Sequence, residues 1–448
     1  MKVGRNAALA GIALAAVLLA APAATAPPPR PNIIIILADD LGSGGLGVLG
    51  DQEARTPNID ALMRAGTRLT NGYANHPVCS PSRAALMTGR YPHRFGFEHN
   101  SGSPARTSPK FGIPLDEPVI AERLKAQGYA TGMFGKWHVG FRPELQPTAR
   151  GFDAFYGHLN GAHAYTPQGM SERRQRSSIL RGTEPAPMPD HLTQTLGAEA
   201  VRFIDSNRGG PFFVYLPFNA VHSPMDTTPA YEARFAQVAD PTHRKHLAML
   251  AALDDAVGEV VGAVRRNGLQ NRTLIVFASD NGGPTQETTS SNAPLSGVKG
   301  TMREGGIRVP YSLTWPGVVP AGRTFAGVAS GFDITATALA AAGAPATGPA
   351  LDGVDLTPYL RGQRKGDPHA ELFWRSGQAG AVRSGKWKMV LRGQNTALYD
   401  LSRDPAEAND LMLKEPAQAA RLAERFRLWS AQMQPPRWIR NEGPDDDG

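Results

Sequence analysis

Cysteine is almost missing from this chain: its 448 residues contain one, Cys79. An internal disulfide is therefore excluded, and stability has to come from a packed core, which a chain of this length can supply. No repeat of fixed period runs through the sequence, which excludes a solenoid or a propeller. Basic blocks and basic strips interleaved with aromatics are also missing, so a nucleic-acid partner is not expected. The formal charge of +7 includes Lys2 and Arg5, both within a segment expected to be removed. After that segment no apolar run is long enough to span a bilayer, so the processed chain is not expected to be an integral membrane protein.

What is present starts with an export signal. Lys2 and Arg5 precede an Ala- and Leu-rich run from Ala7 to Ala21, followed by small residues. This is the three-part layout of a secretory signal peptide, residues 1–23, with cleavage expected after Ala23 and Ala26 as the alternative. The expected destination is periplasmic or secreted. Gly and Pro are abundant, 49 and 38 residues. They are spread along the chain, which suits a loop-rich globular enzyme better than a disordered tract.

Four short apolar runs read as buried strands, and each delivers polar residues at its end. Asn32 to Ala38 leads into Asp39-Asp40, and 129–134 into Gly135-Lys136-Trp137-His138. The run 211–216 leads to Asn219 and His222, and Thr273 to Ser279 to Asp280-Asn281. Helical patterns separate them, among them 56–66, 119–128 and 245–266. Strands alternating with helices predict an α/β fold with a large, mostly parallel central sheet flanked by helices, and ligand groups gather at the carboxyl ends of such strands. Paired aspartates repel unless a cation neutralises them, and an all-oxygen set favours a hard divalent ion. Beyond Gly343 the texture changes to short antiparallel strands near 373–375, 381–383, 387–391 and 397–401, followed by a helix over 415–433. The expected division is 31–364 for a catalytic domain and 365–448 for a smaller C-terminal α+β subdomain.

The lone cysteine opens the stretch Cys79-Ser80-Pro81-Ser82-Arg83. Pro81 reads as the first position of a helix stopped by Gly89, with Ser80 or Cys79 at its cap. A reactive side chain, an anion-favouring helix end and Arg83 one turn on would then converge.

Cys79-x-Pro81-Ser82-Arg83 followed by Leu86-x-Thr88-Gly89-Arg90, with Gly135-Lys136-Trp137-His138, resembles the signatures of the sulfatase family of the alkaline-phosphatase-like superfamily. The resemblance runs from about Pro31 to Leu411 and includes Leu398-Tyr399-Asp400-Leu401 to Asp404-Pro405. It implies that Cys79 is oxidised by a separate maturation enzyme to formylglycine, whose hydrate is the nucleophile. A geminal diol keeps a second hydroxyl whose deprotonation expels sulfate, which a serine lacks. The resemblance further implies that Asp39, Asp40, Asp280 and Asn281, with residue 79, ligate one divalent metal, Ca²⁺ in preference to Mg²⁺. Arg83 and Lys136 would hold the nucleophile, and His138 would be the base that expels sulfate. His222 and Lys299 would bind the bridging oxygen and protonate the leaving alcohol, with the division between them open. His76, His99, Asn100, His163, Trp374 and Arg375 are candidates for lining the organic part of the substrate, with packing the alternative for each.

The expected function is that of an exported sulfuric ester hydrolase acting on sulfate monoesters, with a sulfated small molecule or carbohydrate as substrate. The alternatives are a phosphodiesterase or phosphonate hydrolase of the same superfamily, and a non-catalytic binder of sulfated glycans.

Overall fold

The strand Asn32–Ala38 explains most of the architecture, since every one of its residues is buried. It pairs in parallel with Phe212–Pro217 on one side and Thr273–Ser279 on the other, Ile33 lying opposite both Phe213 and Leu274. A strand bonded along both edges can place apolar side chains on both faces. Ile33, Ile35 and Leu37 enter one cluster with the helices Cys79–Thr88, Ile120–Lys125 and Phe332–Ala341. Ile34, Ile36 and Ala38 enter the other with Pro57–Arg64, Leu192–Asn207 and Pro241–Arg266. The result is a helix–sheet–helix sandwich. These details come from a computed structural model, which describes Met1 and residues 30–101, 107–169, 178–345 and 347–438. The expected signal peptide and its cleavage sites lie outside the described residues.

The central sheet has ten strands. Its middle is parallel, with Ala130–Lys136 beside Phe212–Pro217 and Ala154–His158 beyond it. Its margins contain antiparallel pairs, including Tyr311–Thr314 against Thr273–Ser279. The mixed character is confined to the outer strands, so the expected parallel core is present and the polar strand ends gather along one edge. Among the described residues no helix is long and apolar enough to cross a membrane.

The second unit is a meander of four antiparallel strands, Glu371–Ser376, Ala379–Ser384, Trp387–Arg392 and Ala397–Asp400, packed against the helix Pro416–Ser430. Its apolar face shares a cluster with Tyr73, Tyr91 and Phe332 of the main unit, and Trp374 Nε1 donates to Ala74 O at 2.8 Å. A charged knot lies in the same seam. Lys388 Nζ is 2.8 Å from Glu304 Oε1 and 3.0 Å from Glu407 Oε1, and all three side chains are fully buried. Removing one partner of a buried ion group leaves charge only partly compensated, here by Arg308 and Tyr73 on Glu304 and by Ser296 on Glu407. Lys388→Met should therefore destabilise the protein by roughly 3–5 kcal/mol, read as a lower urea midpoint. An unchanged midpoint would show that Glu304 and Glu407 do not need this ammonium.

Candidate active site

The polar residues that follow the parallel strands meet in one place. Asp39 and Asp40 follow Asn32–Ala38, and Asp280 and Asn281 follow Thr273–Ser279. Lys136 ends its strand, with His138 two residues on. Asp40 and His138 both adopt left-handed backbone, at φ 60° and 58°. Non-glycine residues are rarely found there, and such positions cluster where side chains are aimed at a site. Gly135 is required by the same packing, because a Cβ there would collide with Pro217 O.

The helix carrying Cys79 starts earlier than its sequence suggests. It spans Cys79–Thr88 with Val78 at the N-cap, and Pro81 is its third residue. Proline is tolerated there because the first turn's N–H groups have no partner inside the helix. The stop at Gly89, in the left-handed region at φ 72°, is as expected. Arg83 projects from this helix into the cluster. Its Nε donates to Asp280 Oδ2 at 2.8 Å, Nη2 to Asp39 Oδ2 at 3.0 Å and Nη1 to Lys136 O at 3.0 Å. Lys136 Nζ lies 2.7 Å from Asp39 Oδ2, an ion pair without hydrogen-bond alignment.

On the other side, Lys299 Nζ donates to Asp40 Oδ2 at 3.0 Å and contacts His222 Nε2 at 3.0 Å. His222 Nδ1 is 2.5 Å from Ser223 O. A carbonyl only accepts, so the Nδ1 carries the proton and Nε2 accepts from the lysine. His222 is thus the neutral partner. Burial, then the charge of Lys299, lowers its pKa. Every candidate side chain in the cluster is buried except that of Lys299, which keeps 16 % of its exposure.

Electrostatics separate the roles further. Burial by itself would raise the Asp39 carboxyl, but Lys136 and Arg83 hold it well below the usual carboxylate range. Asp280 is pushed up to about 6 by burial and by the charge of Asp39, against the pull of Arg83. Burial pushes the Cys79 thiol well up, although Lys136 and Lys299 oppose it. A thiol held protonated in this way is a poor nucleophile. His138 is kept neutral by burial and by Lys136 and Arg83, and neither ring nitrogen has a hydrogen-bond partner among the described residues.

The donor set fits a hard divalent ion. Asp39, Asp40, Cys79 and His222 each offer an atom within 4.8 Å of the others. Asn281 Nδ2 donates to Asp40 Oδ1 at 2.6 Å and to Gly282 O at 2.9 Å, and its buried amide oxygen has no partner among the described residues. Asp280 borders this group, its oxygens accepting from Arg83 Nε and from Asp40 N at 3.3 Å. An unpaired buried amide oxygen beside carboxylates is what a cation with oxygen ligands takes up.

The candidates for an organic subsite divide differently. His76 and Trp374 are buried, and His76 Nε2 contacts Arg375 O at 3.0 Å while its Nδ1 accepts from Val78 N at 3.3 Å. They join the C-terminal sheet to the Cys79 loop as packing. Asn100 Oδ1 accepts from Ser80 N at 3.0 Å, at the start of the Cys79 helix. His158 is one residue the sequence reading misses. It pairs in register with Lys136, is buried, and its Nε2 has no partner among the described residues. A single histidine in an unassigned stretch carries no signal until the strand pairing is known.

Comparison with known proteins converges on the same family as the motifs. Residues 31–344 match the family model described as Sulfatase. Arylsulfatase A of Bos taurus is 36% identical over 432 residues, covering 89% of this chain and 82% of the relative. N-acetylgalactosamine-6-sulfatase of Sus scrofa is 34% identical, covering 81% and 72%. The solved structure of Ps i-CgsB superposes with a TM-score of 0.86 at 34% identity, covering 92% and 95%, and the same protein has been solved in complex with k-i-k-neocarrahexaose.

The metal reading predicts a readout independent of turnover. At about one hundred times its Kd, an ion that binds only the folded state adds about 2.7 kcal/mol. Chelator-treated protein should melt lower and recover on addition of Ca²⁺, and Asn281→Ala should shrink that recovery. Identical melting with and without both Ca²⁺ and Mg²⁺ would remove the metal site from consideration.

Proposed function

Because the chain belongs to the sulfatase family and is a sulfuric ester hydrolase, we propose that it releases inorganic sulfate from sulfated carbohydrates, using a nucleophile made from Cys79. The observation that carries this reading is the buried Cys79 thiol. It is set between Lys136, Arg83 and the carboxylates yet held protonated, which suits a precursor and not a thiolate enzyme.

A maturation enzyme oxidises Cys79 to formylglycine. Its hydrate would supply one hydroxyl to attack sulfur and a second whose deprotonation breaks the C–O bond to the sulfated oxygen, releasing sulfate and restoring the aldehyde. Asp39, Asp40, Asp280 and Asn281, with residue 79, hold the divalent metal, Ca²⁺ in preference to Mg²⁺, which supplies Lewis acidity to the nucleophile and to a sulfate oxygen. Arg83 binds two of these carboxylates at once and, with Lys136, keeps the position of residue 79 electropositive. His138, neutral and with ring nitrogens that no described residue bonds, takes up the proton when sulfate is expelled. Lys299 is charged and His222 accepts its hydrogen bond. This supports Lys299 as the proton source for the leaving alcohol, with His222 orienting it.

Three carboxylates, Asp39, Asp40 and Asp280, face three cations, Arg83, Lys136 and Lys299. A divalent ion leaves a surplus of positive charge, which favours an anionic ester. The carbohydrate substrate class is supported by the relatives named for N-acetylgalactosamine 6-sulfate and by the neighbour solved with a neocarrahexaose. Residues 31–364 form the catalytic domain and 365–448 the C-terminal subdomain. The leader 1–23 directs export to the periplasm or the medium.

The native-host enzyme should turn over an aryl sulfate faster than an aryl phosphate diester. The tryptic peptide Leu69 to Arg83 should appear in mass spectra as the aldehyde and not the thiol, and Cys79→Ala should fold and lose turnover. Preference for the phosphodiester would replace the reaction class. Unmodified thiol alone in active enzyme would refute the nucleophile.

A further inference from the structure

Lys299 sits near the middle of a loop, residues 296–304, that is gripped from two sides. On the inner side its own N–H donates to Gly283 O at 3.2 Å, and Gly300 N donates to Pro77 O at 2.8 Å. The loop is thereby tied to the backbone two residues after Asn281 and two before Cys79. On the outer side one carboxylate oxygen closes its ends: Glu407 Oε2 accepts from Ser296 Oγ at 3.1 Å and from Glu304 N at 2.7 Å. The Glu407 carbonyl also accepts from Arg303 Nη2 at 2.6 Å. Glu407 follows the last strand of the C-terminal sheet, is fully buried and holds a left-handed backbone at φ 54°. Its second oxygen pairs with Lys388 of the same sheet at 3.0 Å.

We infer that Glu407 is a positioning residue for Lys299: the C-terminal subdomain sets where the leaving-group acid stands by clasping both ends of its loop. This rests on the sulfatase function proposed above, in which Lys299 protonates the leaving alcohol. Lys299 Nζ must satisfy Asp40 Oδ2 and His222 Nε2 together, each at 3.0 Å. A shift of the loop therefore spoils the hydrogen bond that keeps the ammonium next to the bridging oxygen. The loop's own ties are a turn between Val298 and Thr301 and one backbone bond between its ends, Gly305 N to Ser296 O at 2.7 Å, and Gly297 and Gly300 are both in the left-handed region. A Cβ at Gly305 would collide with Gly297 O, so its two ends also pack directly on each other.

The test uses a series of substituted phenyl sulfates, from 4-nitrophenyl, whose phenolate leaves unaided, to unsubstituted phenyl, which needs the proton. Ser296→Ala and Glu407→Gln should both lose kcat/KM, and phenyl sulfate should lose about tenfold more than 4-nitrophenyl sulfate, in line with the cost of a small misplacement of a catalytic group. The plot of log kcat/KM against phenol pKa then steepens. Arg425→Ala removes an exposed ion pair with Glu371 in the same subdomain and should leave the slope as in wild type. Parallel plots for folded variants, or plots that coincide with wild type, would overturn the inference. If Glu407→Gln does not fold, Ser296→Ala, which deletes a single hydroxyl, decides alone. A fully matured wild-type enzyme inert to every sulfate in the series would overturn the underlying function, and the inference with it.

Discussion

Everything in this molecule depends on holding three carboxylates, Asp39, Asp40 and Asp280, together in one buried site. Asp39 and Asp280 share one guanidinium, from Arg83, and Asp39 and Asp40 each have an ammonium, from Lys136 and Lys299. Charges buried this deeply cost several kcal/mol apiece unless geometry returns the loss. Five segments from distant parts of the chain provide it: two adjacent parallel strands for the acids, a third for Lys136, the helix Cys79–Thr88 for Arg83 and the 296–304 loop for Lys299. The parallel sheet is what makes this possible. Strands running the same way present all their carboxyl ends on one edge.

The same cluster disfavours the thiolate form of Cys79. Lys136 and Lys299 favour a thiolate at residue 79, but burial outweighs their pull and Asp39 and Asp280 work against it. The surroundings suit a neutral group that becomes an oxygen nucleophile, and the neutral His138 suits proton uptake. His222 and Lys299 illustrate a finer division. Sequence leaves the proton donor open between them, whereas the contact of His222 Nδ1 with a carbonyl assigns its tautomer and leaves Nε2 as the acceptor.

The parts legible in sequence were those with local causes. The β-branched run before Asp39 and the run before Asp280 marked central strands to within a residue, since a strand buried on both faces has to be continuously apolar. The start of the Cys79 helix was off by two residues because proline is allowed anywhere in the first turn. The helix Phe332–Ala341 gave no periodic signal: eight of its ten residues are buried, so it has no polar face to set a helical period. Leu192, Leu196, Ala200 and Ile204 did carry a helical spacing, but it lies in a stretch with no recognised motif. The motif residues were legible as a set, whereas Asn281's unpaired oxygen and His158's place beside Lys136 depend on pairings between remote strands.

Glu407 shows the limit most clearly. Its two hydrogen-bonding partners on the loop, Ser296 and Glu304, lie 111 and 103 residues away, so no local pattern can connect them. Placing Lys299, the proposed acid, on a glycine-rich loop would ordinarily sacrifice precision, because such a loop has many conformations to lose. The glycines are nevertheless needed where the loop ends pass backbone against backbone, so stiffness has to be supplied from outside. A buried, charged clasp supplies it with direction, since a carboxylate accepts only from donors placed along its lone pairs while apolar packing tolerates sliding. That gives the C-terminal sheet a physical reason to sit against this site: Glu407, with Tyr399 on Arg303, holds the loop from the outer side.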